Sequence, residues 1–338
     1  MKNIDWASLG FAYIATDKRY VSNYKDGAWD DGALIDDPNV TISESAGVLQ
    51  YAQTIFEGLK AYTTKDGRIV TFRPDLNADR IVASAKQIEM PVFPKERFID
   101  AVEQVVKANI EYVPPFGSGA TLYLRPYEFG TNAVIGVKPC LEYQFRIFCT
   151  PVGPYYKGGI RPIKLRISDF DRAAPHGTGH IKAGLNYAMS LHASVTAHAE
   201  GFDENLFPDS ATRTLVEEAG GANIIFIKGN KLVTPKSNSI LPSVTRRSIV
   251  YVAKEYLGME VEERPVALAE IGDFEEAGLC GTAAVISPIG LINDHGKEIV
   301  FSNGLETVGP KVRELYETLT GIQMGTVEAP EGWIHEIK

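Results

Sequence analysis

Cysteine is scarce in this chain. Three occur among 338 residues, Cys140, Cys149 and Cys280. They form no C-x-x-C pair, which excludes a disulfide-dense scaffold and makes a reducing cytoplasm the simplest compartment. Long hydrophobic runs are missing as well. No stretch reaches about 18 uninterrupted apolar residues, and the opening MKNIDWASLGFAYIATDKRY carries no apolar signal region, so a soluble intracellular protein without membrane contact is expected. Positive charge is in deficit: 34 Lys and Arg against 43 Asp and Glu give a net charge of -9. With no Lys/Arg block to offset it, this argues against a dedicated nucleic-acid surface, though a local cluster can still bind a small anion. The six histidines show no ligand pattern. His176 and His180 are four apart, but two of the three residues between them are glycines, so a helical metal pair is not expected and neither is a metal site. Repeats and low-complexity segments are also absent.

What is present is an ordinary globular composition, 44% hydrophobic and 23% charged, in a chain long enough for two domains. The turn signal Lys65-Asp66-Gly67 before IVTF predicts a hairpin, with a strand over 67–72. Residues 95–113 place Phe98, Ala101, Val102, Val105 and Val106 at helical spacing. Strands are predicted over 120–126 and 141–149. The Pro- and Gly-dense TPVGPYYKGGIRP, 150–162, reads as a linker. It divides the chain into a domain over 1–149, an interdomain loop over 150–162 and a second domain over 163–338. In the second domain a half-buried strand is predicted over 163–168, helices over 185–201, 243–258 and 307–321, and a hairpin over 223–235 around Gly229-Asn230. Ser243 is a plausible N-cap, and Gly258 stands just past that helix's end. Helices and strands intermix in both halves, which predicts an α+β (mixed α/β) fold of two lobes.

One stretch carries unusual chemistry, HGTGHIKAGLNY, 176–187. Its G-x-G-x-x-K resembles a dinucleotide fingerprint with lysine where a third glycine belongs, and it lacks the G-K-[ST] ending of a phosphate loop. Lys182 could be a solvated charge, a phosphate ligand or a nucleophile. The small residues Gly177, Gly179, Ala183 and Gly184 leave room beside it for a flat ligand, and a lysine in a tight, partly dry pocket becomes an amine nucleophile able to form a Schiff base. Pyridoxal 5′-phosphate, the usual carbonyl partner, needs an anion site, a carboxylate for its ring nitrogen and a phenol near its ring oxygen. SILPSVTRR offers a helix start with Val244 and Thr245 in the first turn, and CGTAAVISP offers a small-residue turn with Thr282. TLVEEAGGANIIF offers Glu217 and Glu218; adjacent strand residues face opposite sides, so one can point inward while the other meets solvent, and two surface acids are the other reading. Each of these stretches taken alone also reads as ordinary structure.

Together the blocks TIFEGLKAY (54–62), FRPDLNADR (72–80), LYLRPYEFG (122–130), RAAPHGTGHIKAGLNY (172–187), EAGGANIIF (218–226), LPSVTR (241–246) and CGTAAVISP (280–288) resemble the branched-chain-amino-acid aminotransferases, pyridoxal-phosphate enzymes of fold type IV, in the family's order. The resemblance implies a two-domain, D-amino-acid-aminotransferase-like fold. It implies a reversible ping-pong transfer of the amino group of L-Leu, L-Ile or L-Val to 2-oxoglutarate, giving L-glutamate. On it, Lys182 would hold the cofactor aldehyde as an internal aldimine and shuttle the proton. Tyr187 would bond the ring oxygen and Glu218 the ring nitrogen. Arg80, the Val244 and Thr245 amides and Thr282 would hold the phosphate. Phe56, Tyr51, Tyr187 and Tyr155 would wall the aliphatic pocket, and Val137 would reach a neighbouring subunit's site in a homodimer. Tyr123 and the Ala283 and Ala284 amides would meet the α-carboxylate, and Arg125 the distal carboxylate of glutamate. Three departures stand out. Val152 occupies a position where some members carry a bulky aromatic, Cys280 has no second cysteine three residues on, and Gly221 replaces a threonine found near the ring nitrogen in some relatives. A D-amino-acid aminotransferase or an aminodeoxychorismate lyase of the same fold is the nearest alternative, and a non-catalytic nucleotide-binding module is one of another class.

Overall fold

A computed structural model describes residues 2, 4–155 and 159–338. The contacts group the chain into two units. The first holds 1–157 with 181–185 and 322–338; the second holds 158–180 and 186–321. Two excursions therefore depart from a linear division at the 150–162 linker. The chain enters the first unit for five residues around Lys182, and its end returns there, where strand Ile334–Glu336 pairs with Ile69–Phe72. The predicted linker also begins inside a strand, and its residues 156–158 lie outside the described residues.

The first unit is built on an antiparallel sheet. Its main strands are β1 (Arg19–Lys25), β2 (Thr54–Phe56), β3 (Leu59–Thr63), β4 (Ile69–Phe72), β5 (Thr121–Gly130) and β6 (Tyr143–Val152), ordered β4-β3-β5-β6-β1 with β2 also on β5. Alternation along β5 separates two faces. Leu122 and Leu124 enter a fully buried core, while Tyr123, Arg125 and Tyr127 occupy the other face. Helices α1 (Pro74–Gln87) and α2 (Lys95–Ala108) belong to this unit. The predicted apolar stripe of α2, Phe98 to Val106, is fully buried, and Phe93 stacks on Phe145 at 3.9 Å. Nothing in the hydrophobic pattern announces α1, although Pro74 stands at its first position, where its missing N–H costs nothing. Its inward face is partly polar, burying Asn77, Arg80 and Ser84 beside Ala78, Ile81 and Ala85.

The second unit contains β7 (Ile163–Ile167), most of α3 (Gly184–Ala199), β8 (Glu204–Pro208), β9 (Val216–Ala219), β10 (Asn223–Lys228), β11 (Lys231–Pro235), α4 (Val244–Glu255), β12 (Glu260–Arg264), β13 (Glu276–Gly281), β14 (Val285–Asp294) and most of α5 (Pro310–Gln323). Its mixed sheet runs β9-β8-β7-β14-β13-β10-β11-β12. Parallel pairs are β7–β8, β7–β14 and β11–β12. The predicted hairpin is β10–β11. Ser243 caps α4, its Oγ accepting the Arg246 amide at 3.2 Å. Helix α5 is capped from another strand: buried Glu276 accepts the first-turn amides of Lys311 and Val312 at 3.1 and 2.9 Å. Among the described residues no helix is long and apolar enough to cross a membrane.

Candidate active site

In the first unit Lys182 is fixed from both sides of its peptide. Its N–H donates to Ser84 Oγ of α1 at 3.1 Å, and its carbonyl accepts the Phe56 N–H at 3.0 Å. Ala183 bridges Ile55 of β2. A backbone held this way aims a flexible side chain reproducibly, and Lys182 Nζ lies 4.7 Å from the Phe56 ring centroid, within cation–π range. The residue β2 needs next is small. A side chain at Gly184 would press on Thr54 at 3.2 Å, and one at Gly58 would overlap the Tyr123 hydroxyl.

Arg125 shares this neighbourhood. Its guanidinium lies 4.7 Å from the Phe56 ring and 5.4 Å from the Tyr123 ring, and Nη2 donates to Tyr123 Oη at 3.0 Å. Its buried Nε has no partner among the described residues. A buried donor without an acceptor is costly, and a bound carboxylate would satisfy it. Phe11 extends the aromatic wall, edge-on to Tyr123 at 5.4 Å and to Tyr155 at 5.9 Å. Phe56, Tyr123, Arg125, Tyr155 and Lys182 are thus linked through successive contacts. Tyr51 and Val137 take no part in these contacts: Tyr51 donates its hydroxyl to the Ile135 carbonyl, and Val137 is 86% exposed.

Arg80 is buried and paired in two-pronged fashion with Glu57, Nε to Oε1 and Nη2 to Oε2, both at 2.7 Å. Asn77 donates to the same carboxylate at 2.8 Å. Glu57, fully buried, fixes the plane of the guanidinium.

The second unit holds the carboxylate. Glu217 and Glu218 of β9 are both buried, at 4% and 3% exposure, so neither reading that left an acid in solvent holds. Beyond β9 the chain folds over both faces, with Ser237 reaching Glu217 and the Leu241 amide reaching Glu218. Glu218 Oε1 is ion-paired with Arg172 Nη2 at 3.0 Å and accepts the Leu241 N–H at 3.1 Å, and Oε2 accepts Asn223 Nδ2. Burial pushes its carboxyl up to about 7, against the opposing pull of Arg172. A second cation beside this carboxylate would hold it ionised.

Anion-binding geometry appears in the same unit. Ser243 Oγ takes the Arg246 amide and Ser243 O the Arg247 amide. The Val244 and Thr245 amides, at the first two helical positions, have no place in the helical ladder. Both residues are buried, and such amides suit a phosphate. Thr282, Ala283 and Ala284 form the half-buried turn between β13 and β14. It ends on Val285 with φ +64°, a strained conformation for a β-branched residue. Tyr187, half-buried, lies in the first turn of α3.

Four residues escaped the sequence reading: Ser84, Glu57, Phe11 and Arg172. The blocks FEGLKAY and RAAPHGTG contained Glu57 and Arg172, but a charge beside a motif does not announce burial. Gly179 also has a different neighbour from the one expected. A side chain there would collide with the Ser239 carbonyl and with Arg172 Nη2 at 2.7 Å, so within the second unit this glycine makes room for the arginine. Among the described residues no three His, Cys, Asp or Glu side chains converge to hold a metal.

Residues 54–292 match the model of the family described as amino-transferase class IV. Over 344 aligned residues, covering all of both chains, this chain is 50% identical to a branched-chain-amino-acid aminotransferase of Haemophilus influenzae. It is 46% identical to one of Helicobacter pylori, over all of this chain and 99% of that one. Among solved structures, the branched-chain amino acid aminotransferase of Escherichia coli superposes with a TM-score of 0.81 at 26% identity, covering 96% of this chain and 100% of that one. The holo-form of the Thermobaculum terrenum enzyme, solved with PLP, gives 0.78 at 26% identity over the same shares.

Proposed function

The chain belongs to the branched-chain-amino-acid aminotransferases of amino-transferase class IV, and from that premise we propose which of its residues carry the reaction. It is a pyridoxal-phosphate-dependent transaminase that moves the amino group of a branched-chain L-amino acid to 2-oxoglutarate. The observation that carries the assignment is the pinning of Lys182 between Ser84 Oγ and the Phe56 amide. It presents one amine, reproducibly placed, beside an aromatic wall. The residues present fit the cofactor: an oriented lysine, a buried carboxylate and two helix-start amides outside the helical ladder.

Bound pyridoxal phosphate supplies the electron-withdrawing ring that makes the substrate Cα–H acidic. Lys182 would be the attachment point, and once the substrate's amine has displaced it, its freed amine would take the proton from the substrate Cα and hold it for return. Glu218 holds the ring nitrogen protonated, and Tyr187 donates to the ring oxygen. The Val244 and Thr245 amides, the Thr282 hydroxyl and Arg80, the last held in plane by Glu57, bind the phosphate. Phe56, Tyr123 and Tyr155 enclose the aliphatic side chain, and Phe11 backs them. Tyr123 and the Ala283 and Ala284 amides take the α-carboxylate, and Arg125, with its unsatisfied Nε, takes the distal carboxylate of glutamate. One pocket thereby accepts leucine on an apolar wall and glutamate on a guanidinium.

A homodimer would give the exposed Tyr51 and Val137 a role. Leu49, Tyr51, Ile135, Val137 and Leu141 are all exposed apolar residues, and we assign them to the partner's pocket wall. The three unpaired thiols suit a cytoplasmic enzyme. Amino-group transfer measured with L-leucine and with D-alanine as donors tests the function. Turnover of L-leucine to L-glutamate is expected, whereas activity confined to the D-isomer would establish the D-amino-acid alternative.

A further inference from the structure

Glu218 is not the only acid at its position. Glu217 precedes it in β9, and both side chains are buried, yet one guanidinium, that of Arg172, stands beside them. The two acids are served unequally. Glu218 receives Arg172 Nη2, the Leu241 amide and Asn223 Nδ2. Glu217 has only neutral hydroxyls beside it, Ser237 Oγ at 3.4 Å and that of Ser239, and its Oε2 has no partner among the described residues. Arg172 is itself 5% exposed, and Nη2 also reaches the carbonyls of Gly179, at 3.4 Å, and Ser239. Absence of a side chain at Gly179 lets it lie there.

We propose that Arg172 is the positioning residue that keeps Glu218 ionised, and that its charge is available to Glu218 because the neighbouring Glu217 carries a proton. The inference rests on the reading that Glu218 meets the cofactor's ring nitrogen. A buried carboxylate that is ion-paired with a guanidinium and accepts two further hydrogen bonds is the one that holds the negative charge; the acid with only neutral hydroxyl neighbours holds the hydrogen. The surrounding groups agree. Asp209, whose carboxylate accepts the amides of Thr212, Thr214 and Leu215, opposes a second negative charge on Glu217. Cys280, opposite Asn223 in the sheet, is a thiol that burial pushes up to about 12 and is neutral. Arg246 is engaged by Glu263 at 3.0 Å and by the Pro235 carbonyl at 3.4 Å. The raised positions of both acids follow from burial first, with Arg172 pulling each back.

The test uses the cofactor-free chain, in which stability against pH reports the titration of Glu218, and then the loaded enzyme. In the wild type the upper bend of the Glu218-dependent stability loss, taken as the difference from Glu218→Gln in the same background and marking ionisation in the folded state, centres near pH 7. Arg172→Met should move that centre up by at least about one pH unit, a tenfold change in proton affinity. Arg172→Lys should give an intermediate value, since an ammonium keeps the charge and loses the planar fork. Glu217→Gln should leave the centre in place. An unmoved centre in Arg172→Met overturns the role of Arg172. If that variant does not fold, an unmoved or lowered centre in Arg172→Lys does the same. A centre that falls by a unit in Glu217→Gln shows Glu217 to be charged and overturns the second half. Cofactor retention and absorption of the loaded Arg172 variants are read separately. Titrations that behave as expected beside unaltered retention and spectrum would leave the ion pair standing and refute Glu218 as the ring-nitrogen partner.

Discussion

Replacing Glu218 by glutamine should make the cofactor-free protein more tolerant of alkaline pH. The carboxyl ionises at about 7 in the folded chain against an ordinary value of 4.5. Between those values the folded state binds more protons than the unfolded one, so stability is full below 4.5 and falls as pH rises through 7. At about 1.36 kcal/mol for each pH unit, the loss approaches roughly 3 kcal/mol by pH 8.5. For a unit of this size that is roughly 6–12 °C in melting temperature. Glutamine keeps the shape, cannot ionise and leaves Arg172 without its partner, so its absolute stability will differ from wild type at every pH. The informative quantity is therefore the change in the wild-type-minus-variant difference between pH 5 and pH 8.5, followed by circular dichroism on both apo-proteins. Wild type should lose several degrees relative to the variant across that interval. A difference that stays constant would mean that burial of Glu218 is not what sets its charge, and would refute the electrostatic reasoning about this carboxylate.

Arg125→Gln should raise KM for glutamate by about 10- to 100-fold, the worth of a charge-assisted contact, with leucine affected far less; separate half-reaction kinetics check this. Gly179→Ala forces a side chain onto the Ser239 carbonyl and Arg172, and should cost about 1–3 kcal/mol, visible as a lowered melting temperature together with weakened cofactor retention. Glu276→Ala strips the buried amides of Lys311 and Val312 of their acceptor and should cost about 1–3 kcal/mol in denaturant midpoint without changing KM.

The elements that the sequence makes plain are those whose buried face is apolar. Helix α2 was readable because Phe98, Ala101, Val102, Val105 and Val106 repeat at helical spacing, and all five are buried. Helix α1 was not, because its inward residues include Asn77, Arg80 and Ser84, which bind Glu57 and Lys182 rather than core. Polarity that serves a site erases the periodic signal of the helix that supports it. The same limit applies to the acids. Alternation in β9 sends Glu217 and Glu218 to opposite faces, but only the folded chain shows that both faces are covered. Lys182 was legible as a candidate from its small neighbours, whereas the Ser84 and Phe56 contacts that orient it join residues far apart in sequence.

Lys182 has a rival within the chain. Lys60, in β3, is buried, and burial lowers its ammonium to about 8, so a reactive amine could in principle reside there instead. Borohydride reduction of the pyridoxal-phosphate-loaded enzyme, followed by peptide mapping, distinguishes them directly. The cofactor should be found covalently attached to the peptide carrying Lys182, with none on Lys60. Attachment to Lys60, or undiminished attachment in Lys182→Ala, would contradict the assignment of Lys182 as the residue on which the chemistry turns.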